Sequence, residues 1–206
     1  MVAKLINSKE KVFEVWKENK IPLMVDTQGS IKDFLKPDII VDAVMAKRNL
    51  GITKITDAPL VIALGPGFWA GRDAHLVIET NRGHNLGRVI IEGEAEKHTG
   101  VPGVIGGFGA ERVFRAPKAG RFISYRKIGD YIQEDEVVGE VEDAQVIVKI
   151  KGVLRGLIRD GTEVGEGLKL GDVDTRGDKD ACYTISDKAR AIAGGVLEGI
   201  LMLFNI

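Results

Sequence analysis

Cysteine is almost absent from this chain of 206 residues. Its single thiol, Cys182, excludes an internal disulfide and a metal cage built from several cysteines. A chain without disulfides fits a reducing compartment, so a cytoplasmic location is expected. An excess of either charge is lacking too, since 29 basic residues against 30 acidic ones leave a formal net charge of −1. That balance makes no electrostatic case for nucleic acid or an anionic membrane surface as a partner. No apolar run approaches the roughly 18–20 residues a membrane helix needs, and no secretory signal opens the chain. Histidine is scarce, and all three (His75, His84 and His98) fall in one short region.

Glycine is the abundant exception. There are 26, and 11 of them lie between Gly65 and Gly109. That is more than packing needs, and it points to tight turns and to backbone approaching a ligand. In this region Leu60 to Leu64 reads as a buried strand ended by Gly65-Pro66-Gly67. Asp73 to Thr80 alternates strictly, which sets Asp73, His75 and Glu79 on one face of a second strand. These three are the candidate catalytic residues. His75 and Asp73 would act as an acid–base pair on a phosphorylated small molecule, or the three would form a partial metal shell. The metal question itself stays open. Gly65, Gly67 and Gly71 form a candidate backbone-amide nest for an anion, with Arg72 beside it. Their spacing is neither that of a P-loop nor that of a dinucleotide fingerprint. Asn81 to Gly87 is expected to close a hairpin in which Arg88 faces Glu79. Glu94 to Arg112 reads as a lid or ligand-facing loop.

Upstream, Lys9–Asn19 has the stripe of a short amphipathic helix capped by Ser8, and Ser30–Leu35 a second helical stretch. Pro22–Asp26 and Asp38–Ala46 read as strands, and the alternation is that of a parallel α/β unit. Residues just past such strand ends line a ligand crevice, which makes Asp42, Lys47, Arg48 and Asn49 candidates. Downstream the chain repeats itself at an offset of 32 residues. Gly120, Gly129, Ile132, Gly139, Glu140 and Val141 match Gly152, Gly161, Val164, Gly171, Asp172 and Val173. The copies, with Gly-Asp and Asp-Gly turns, have the framework of a biotinyl/lipoyl-type β-sandwich. The tip between them, Glu142-Asp143-Ala144-Gln145, has no lysine to acylate, and Lys149 and Lys151 lie past it, so carrier chemistry is not expected. Ser186 opens a last helix, Asp187–Leu203, whose Ala191–Gly195 centre admits another backbone and makes a homodimer seam plausible. Cys182 is expected to be a buried, inert thiol.

The expected organisation is α/β plus all-β. Residues 1–112 form a parallel, Rossmann-like unit with glycine-rich loops, residues 113–175 the sandwich, and 176–206 a segment whose helix packs back on the first domain.

Several motifs together resemble one bacterial and archaeal family, the YqeB-type accessory proteins of selenium-dependent molybdenum hydroxylases. They are Val41-Asp42-Ala43-x-x-Ala46-Lys47-Arg48-Asn49, Leu64-Gly65-Pro66-Gly67-Phe68 with Gly71, and Asp73-x-His75. They continue with Glu79-Thr80-x-Arg82-Gly83-His84-x-Leu86-Gly87-Arg88 and Thr99-Gly100-x-Pro102-Gly103. The last are Gly152–Gly156, Gly171-Asp172-x-Asp174-x-Arg176-Gly177 and Ser186-Asp187-Lys188. The resemblance implies a role in maturing a molybdenum hydroxylase client, through the molybdenum cofactor or a selenium- or phosphate-bearing precursor. Residues expected to hold that small anion are Lys47, Asn49, Gly65, Gly67, Gly71, Arg72, Arg82, His84, Arg88 and Thr99. Members of the family begin with a nucleotide-binding-like half that has no counterpart here, so no dinucleotide role is carried over. Two other readings stand beside it, a small-molecule hydrolase or transferase and a partner-docking module without chemistry.

Overall fold

The computed structural model describes residues 1–101, 103–104 and 106–204. The fold is mixed α/β, richer in strand than in helix, and ends in a long C-terminal helix. Two compact units divide it: Met1–His98 with the chain from Lys188 onward, and Thr99–Asp187. The boundaries differ from the expected 112/113 and 175/176. Within the second unit Arg112 pairs with Asp172, and the Tyr183 hydroxyl donates to the Ile128 carbonyl at 3.1 Å. Those contacts hold the flanking segments to the β unit.

In the first unit, strands β1 (Ala3–Ile6) and β2 (Ile21–Met24) pair in parallel as a sheet of their own. Helices α1 (Val12–Lys17) and α2 (Ile31–Leu35) close over it, with Ile6, Val12 and Val15 at the centre. A 3-10 turn at Lys9–Lys11 takes the place of the first turn expected of α1, and the Ser8 hydroxyl meets Glu10 instead of capping the helix.

The second sheet runs β3 (Ile39–Asp42), β4 (Leu60–Leu64), β6 (Leu76–Ile78), β7 (Val89–Ile90). The first three strands are parallel and β7 turns back against β6 as the expected hairpin. Every residue of β4 is buried, as an unbroken apolar run demands when both faces of a parallel strand are covered. One face packs Leu60, Ile62, Leu64, Leu76 and Ile78 against Ile192 of helix α3 (Asp187–Phe204). The other carries Val61, Ala63 and Val77 under Phe68, Ala70 and Ala95, where β5 (Trp69–Ala70) pairs with β8 (Gly93–Glu94). The β3–β4 and β4–β6 connections contain no α-helix, only a 3-10 turn at Ile55–Asp57. The helix-bearing crossovers expected of a Rossmann-like unit are therefore replaced by loops and by β5.

Two glycines set how close α3 comes. A methyl group on Gly195 would lie 2.1 Å from the Gly87 carbonyl oxygen, and one on Gly87 2.4 Å from the Ala191 carbonyl. The backbone that approaches the glycine centre of α3 is thus the loop before β7.

The second unit has two four-stranded sheets, with strands β9 (Val113–Arg115), β10 (Gly120–Ser124), β11 (Tyr131–Ile132) and β12 (Glu136–Val141) in its first part. They are followed by β13 (Ala144–Val148), β14 (Gly152–Leu157), β15 (Glu163–Val164) and β16 (Lys169–Asp174). The repeat is written into their register. Phe122 faces Val141 as Leu154 faces Val173, and Gly120 faces Val164 as Gly152 faces Ile132. Each copy gives its short middle strand to the sheet of the other. The shared core is built from equivalent pairs: Phe122 and Leu154, Ile132 and Val164, Val138 and Leu170, Val141 and Val173. Cys182 is partly buried with its thiol toward the Leu154 carbonyl at 3.7 Å, and burial raises its pKa.

At the end of β16, Asp174 is 1% exposed and takes both guanidinium contacts of Arg176 and one from Arg155 at 3.0 Å. Hydrogen bonding from Arg176 is the main cause that lowers its pKa to about 2 from 3.8. A carboxylate held below its unfolded pKa contributes stability above about pH 4 that disappears as pH falls toward 2. The melting-temperature gap between the native protein and Asp174→Asn should therefore be full at pH 5 and shrink steadily on acidification. In α3, Gly195→Ala should destabilise by about 1–3 kcal/mol through overpacking. Its exposed neighbour Gly194 meets nothing within 4 Å, so Gly194→Ala should stabilise by about 0.5–1 kcal/mol in denaturant melts.

Candidate functional site

The three parallel strands end together on one edge of the sheet, and the loops that follow them gather the polar residues of the first unit. Asp42 closes β3, 8% exposed, its Oδ1 accepting from the Val44 amide at 3.2 Å. The chain then takes the left-handed region at Met45 (φ 55°) and Lys47 (φ 67°), uncommon for such side chains and most frequent at functional loops. Asn49 turns inward on itself, its Oδ1 accepting from the Gly51 amide at 2.7 Å. After β4, Gly65 (φ 80°) leaves room for the Thr80 hydroxyl, which would lie 2.6 Å from an added Cβ. Gly67 (φ 106°) does the same for the backbone of Arg48 and Asn49. The glycines of the expected nest thus serve to let the β3–β4 loop and Thr80 close over the end of β4.

Glu79 follows β6 and is 3% exposed. Its Oε1 accepts the amides of Thr80 and Asn81, each at 2.7 Å, and its Oε2 accepts the amide of Glu96 at 2.7 Å. Three backbone donors on one buried carboxylate make it the pin that fixes two loops. Its expected partner Arg88 meets it only through the backbone, where the Glu79 amide donates to the Arg88 carbonyl at 3.0 Å. The Arg88 side chain is exposed and reaches Asn85 Oδ1 at 3.4 Å. Beside Glu79 lies an open recess of about 530 Å³ bordered by Asn85, Arg88, Ala95, Glu96 and Lys97.

Asp73 and His75 belong elsewhere. Strand β6 is only Leu76–Ile78, so His75 stands before it and Glu79 after it. At about 3.3 Å per residue the two are roughly 13 Å apart along the chain. Alternation puts them on one side but not in one place. His75 Nδ1 accepts the Val61 amide at 3.0 Å, which occupies that ring nitrogen as an acceptor. Asp73 accepts from Arg72 at 2.8 and 3.1 Å and from the Trp69 amide at 2.8 Å. The Arg72 hydrogen bonds are the leading cause that lowers its pKa. Among the described residues no hydrogen bond joins Asp73, His75 and Glu79, and no group of three His, Cys, Asp or Glu residues is placed to hold a metal. Gly71 and Arg72 share the turn with Asp73 and are likewise away from Gly65 and Gly67.

A group that the motifs did not single out as ligand-binding completes the edge. Lys188, in the first turn of α3, is partly buried, and its charge is felt by Lys47, Arg82 and Glu79. Burial first, then Lys47 and Arg82, lower its pKa, while Glu79 opposes them. Lys47, Arg82 and Glu79, from separate elements, thus lie within electrostatic reach of Lys188. His84 is exposed on the loop after β6, and Thr99 lies in the other unit, its hydroxyl accepting the Val101 amide at 3.2 Å. Pro102 of the Thr99–Gly103 motif lies outside the described residues.

The chain is 47% identical over 205 residues to the uncharacterized protein YqeB of Escherichia coli (strain K12). The alignment covers 100% of this chain. This chain is YqeB-type. It spans 38% of the length of that relative, and no family model matches it. Among solved structures, a succinylglutamate desuccinylase/aspartoacylase from Rhodobacter sphaeroides overlays 40% of the YqeB-type chain and 29% of its own. At 21% identity and a TM-score of 0.29 that overlay carries no argument. Among the described residues of the YqeB-type chain no helix is long and apolar enough to cross a membrane.

Glu79→Gln separates a structural role from a proton-transfer role in this YqeB-type chain. The replacement amide would turn an N–H₂ group against a backbone N–H, leaving a buried donor unsatisfied. The expected cost is about 1–3 kcal/mol in denaturant melts. An unchanged midpoint would show that the three amides find other partners.

Proposed function

We propose that this chain binds a small oxyanion at the carboxyl edge of the β3–β4–β6 sheet, as part of a maturation factor for selenium-dependent molybdenum hydroxylases. The anion would be a phosphate-, molybdate- or selenium-bearing group of the molybdenum cofactor or its precursor, and the setting cytoplasmic. One observation carries this reading: Lys47, Arg82 and Lys188 bring their charges together there, while the nearby carboxylate Glu79 already holds three backbone amides. Charge-assisted hydrogen bonds from such a group are the strong kind. In open parallel sheets this edge is the usual ligand crevice. On this reading the second unit is a biotinyl/lipoyl-like sandwich without an acylated lysine, and it docks the hydroxylase client.

Phosphate, molybdate and selenophosphate should each be titrated against the melting temperature of the chain. A ligand at about a hundred times its Kd stabilises by about 2.7 kcal/mol, so a rise of several degrees is expected with at least one of them. Lys47→Gln and Lys188→Gln should each reduce that rise. No shift with any of the three anions would sink the reading.

A further inference from the structure

Strands β1 and β2 form a sheet of their own, and its two outer edges are built differently. The register is parallel, Ala3 beside Ile21 through Ile6 beside Met24, and the Ile21 amide donates to the Val2 carbonyl at 2.9 Å. In a parallel ladder alternate residues turn their N–H and C=O toward the neighbouring strand. On β2 these are Ile21 and Leu23, so the ring nitrogen of Pro22 lies on the outer edge. Proline has no N–H to offer there, and it closes that edge to a further strand. On β1 the backbone of Lys4 and Ile6 turns toward β2, which leaves the N–H and C=O of Ala3 and Leu5 on the opposite edge. Among the described residues no hydrogen bond reaches these groups from elsewhere in the chain.

The open edge is also apolar. Ile6 points into the core with Val12 and Val15, so Leu5 takes the other face of the strand. It is 68% exposed, beside Leu23 at 56% and Ile21 at 47%. A charged side chain, lysine above all, is a common means of keeping a free edge from pairing. Lys4 is the cation of β1, and Glu18 already holds it at 2.8 Å.

We infer that this edge of β1 is a self-association surface, on which a second copy of the chain adds its own β1 in antiparallel pairing. The two-fold axis passes at Lys4, so Ala3 of each copy faces Leu5 of the other. Each such pair exchanges two backbone hydrogen bonds, which makes four across the seam. A second copy brings the same unused groups and the same apolar face, and a two-fold axis matches them to each other. Leu5 is then flanked by Leu23 on one side and by Ala3 of the second copy on the other. The two Lys4 side chains meet across the axis with a Glu18 beside each, which offsets their repulsion. Both outer strands of the resulting four-stranded sheet carry Pro22, so addition stops at two copies. The seam is not the glycine centre of α3, where the Gly87 loop already occupies the space at Gly195. An edge this short buries less than a standard interface, which implies a Kd of about 1–100 μM.

The test is sedimentation of the full chain from about 1 to 500 μM, a range that brackets that affinity. The mass should climb from 22.4 kDa toward twice that value and no further. Leu5→Pro gives β1 the closed edge that Pro22 gives β2, and it should hold the chain at the monomer mass with an unchanged melting temperature. Ala3→Pro, at the first residue of the strand where proline is tolerated, should do the same. In the native protein the amides of Ala3 and Leu5 should exchange hydrogen several-fold more slowly at the top of the range than at the bottom. A monomer mass throughout overturns the proposal, as does growth beyond two copies. So does a dimer that survives the proline substitutions, or exchange at Ala3 and Leu5 that is independent of concentration.

Discussion

Glu79 stands where the third parallel strand ends, and its two oxygens take backbone amides from both sides: Thr80 and Asn81 after it, Glu96 from beyond β8. Burying a carboxylate is costly, and only short, charge-assisted hydrogen bonds offset that cost. Here there are three, which is why a charged residue can be 3% exposed at the end of a sheet lined mostly by apolar side chains. The arrangement also places what lies around it. The loop it pins leads directly to Arg82, and the segment it draws in brings Ala95 under the sheet beside Phe68 and Val77. The carboxyl edge is held from within by one anion while cations collect outside it.

The other constraint on that edge comes from helix packing. Gly195 and Gly87 let α3 lie closer to the sheet than side chains would allow. Ile192 of the same helix seals the face over Ile62 and Ile78. Lys188 is seven residues before Gly195, about 10 Å along the axis of a helix. A helix seated by glycine at its centre therefore delivers its first turn to the ends of the strands. Packing in the core and charge at the site are two consequences of one contact.

Much of this framework is legible in the amino-acid order. Leu60–Leu64 announces a strand covered on both faces, and the hairpin of β6 and β7 follows from its turn residues. The 32-residue repeat anticipates strand exchange in the second unit, because equivalent residues must find equivalent partners. The site was harder to read. Alternation from Asp73 to Thr80 says which residues share a side. It does not say where the ladder stops, and a three-residue β6 leaves His75 and Glu79 at opposite ends. Gly71 and Arg72 follow the same logic, since β5 carries the chain back across the sheet before they appear. Lys188 falls in the Ser186-Asp187-Lys188 motif, but nothing local marks it as part of the edge, because what distinguishes it is its neighbours from loops far earlier in the chain.

The repeat shows how one framework accommodates two different electrostatic states. Glu142 and Asp174 occupy equivalent positions at the ends of β12 and β16. Glu142 is exposed, accepts the Arg121 amide at 2.9 Å and leaves neighbouring Asp143 to pair with Lys118 at the surface. Asp174 is buried and gathers Arg155 and Arg176. Arg155 and Arg176 stand where the other copy has Ile123 and Ala144, so two differences between the copies supply the cations that the buried carboxylate holds. The backbone register responds to the first difference: Phe122–Val141 and Leu154–Val173 match, but Ile123 pairs with Glu140 whereas the ladder shifts at Arg155, so that Gly156 pairs with Asp172. The apolar pairs of the core thus preserve the symmetry of the unit, and the charged tips are where its two halves have diverged.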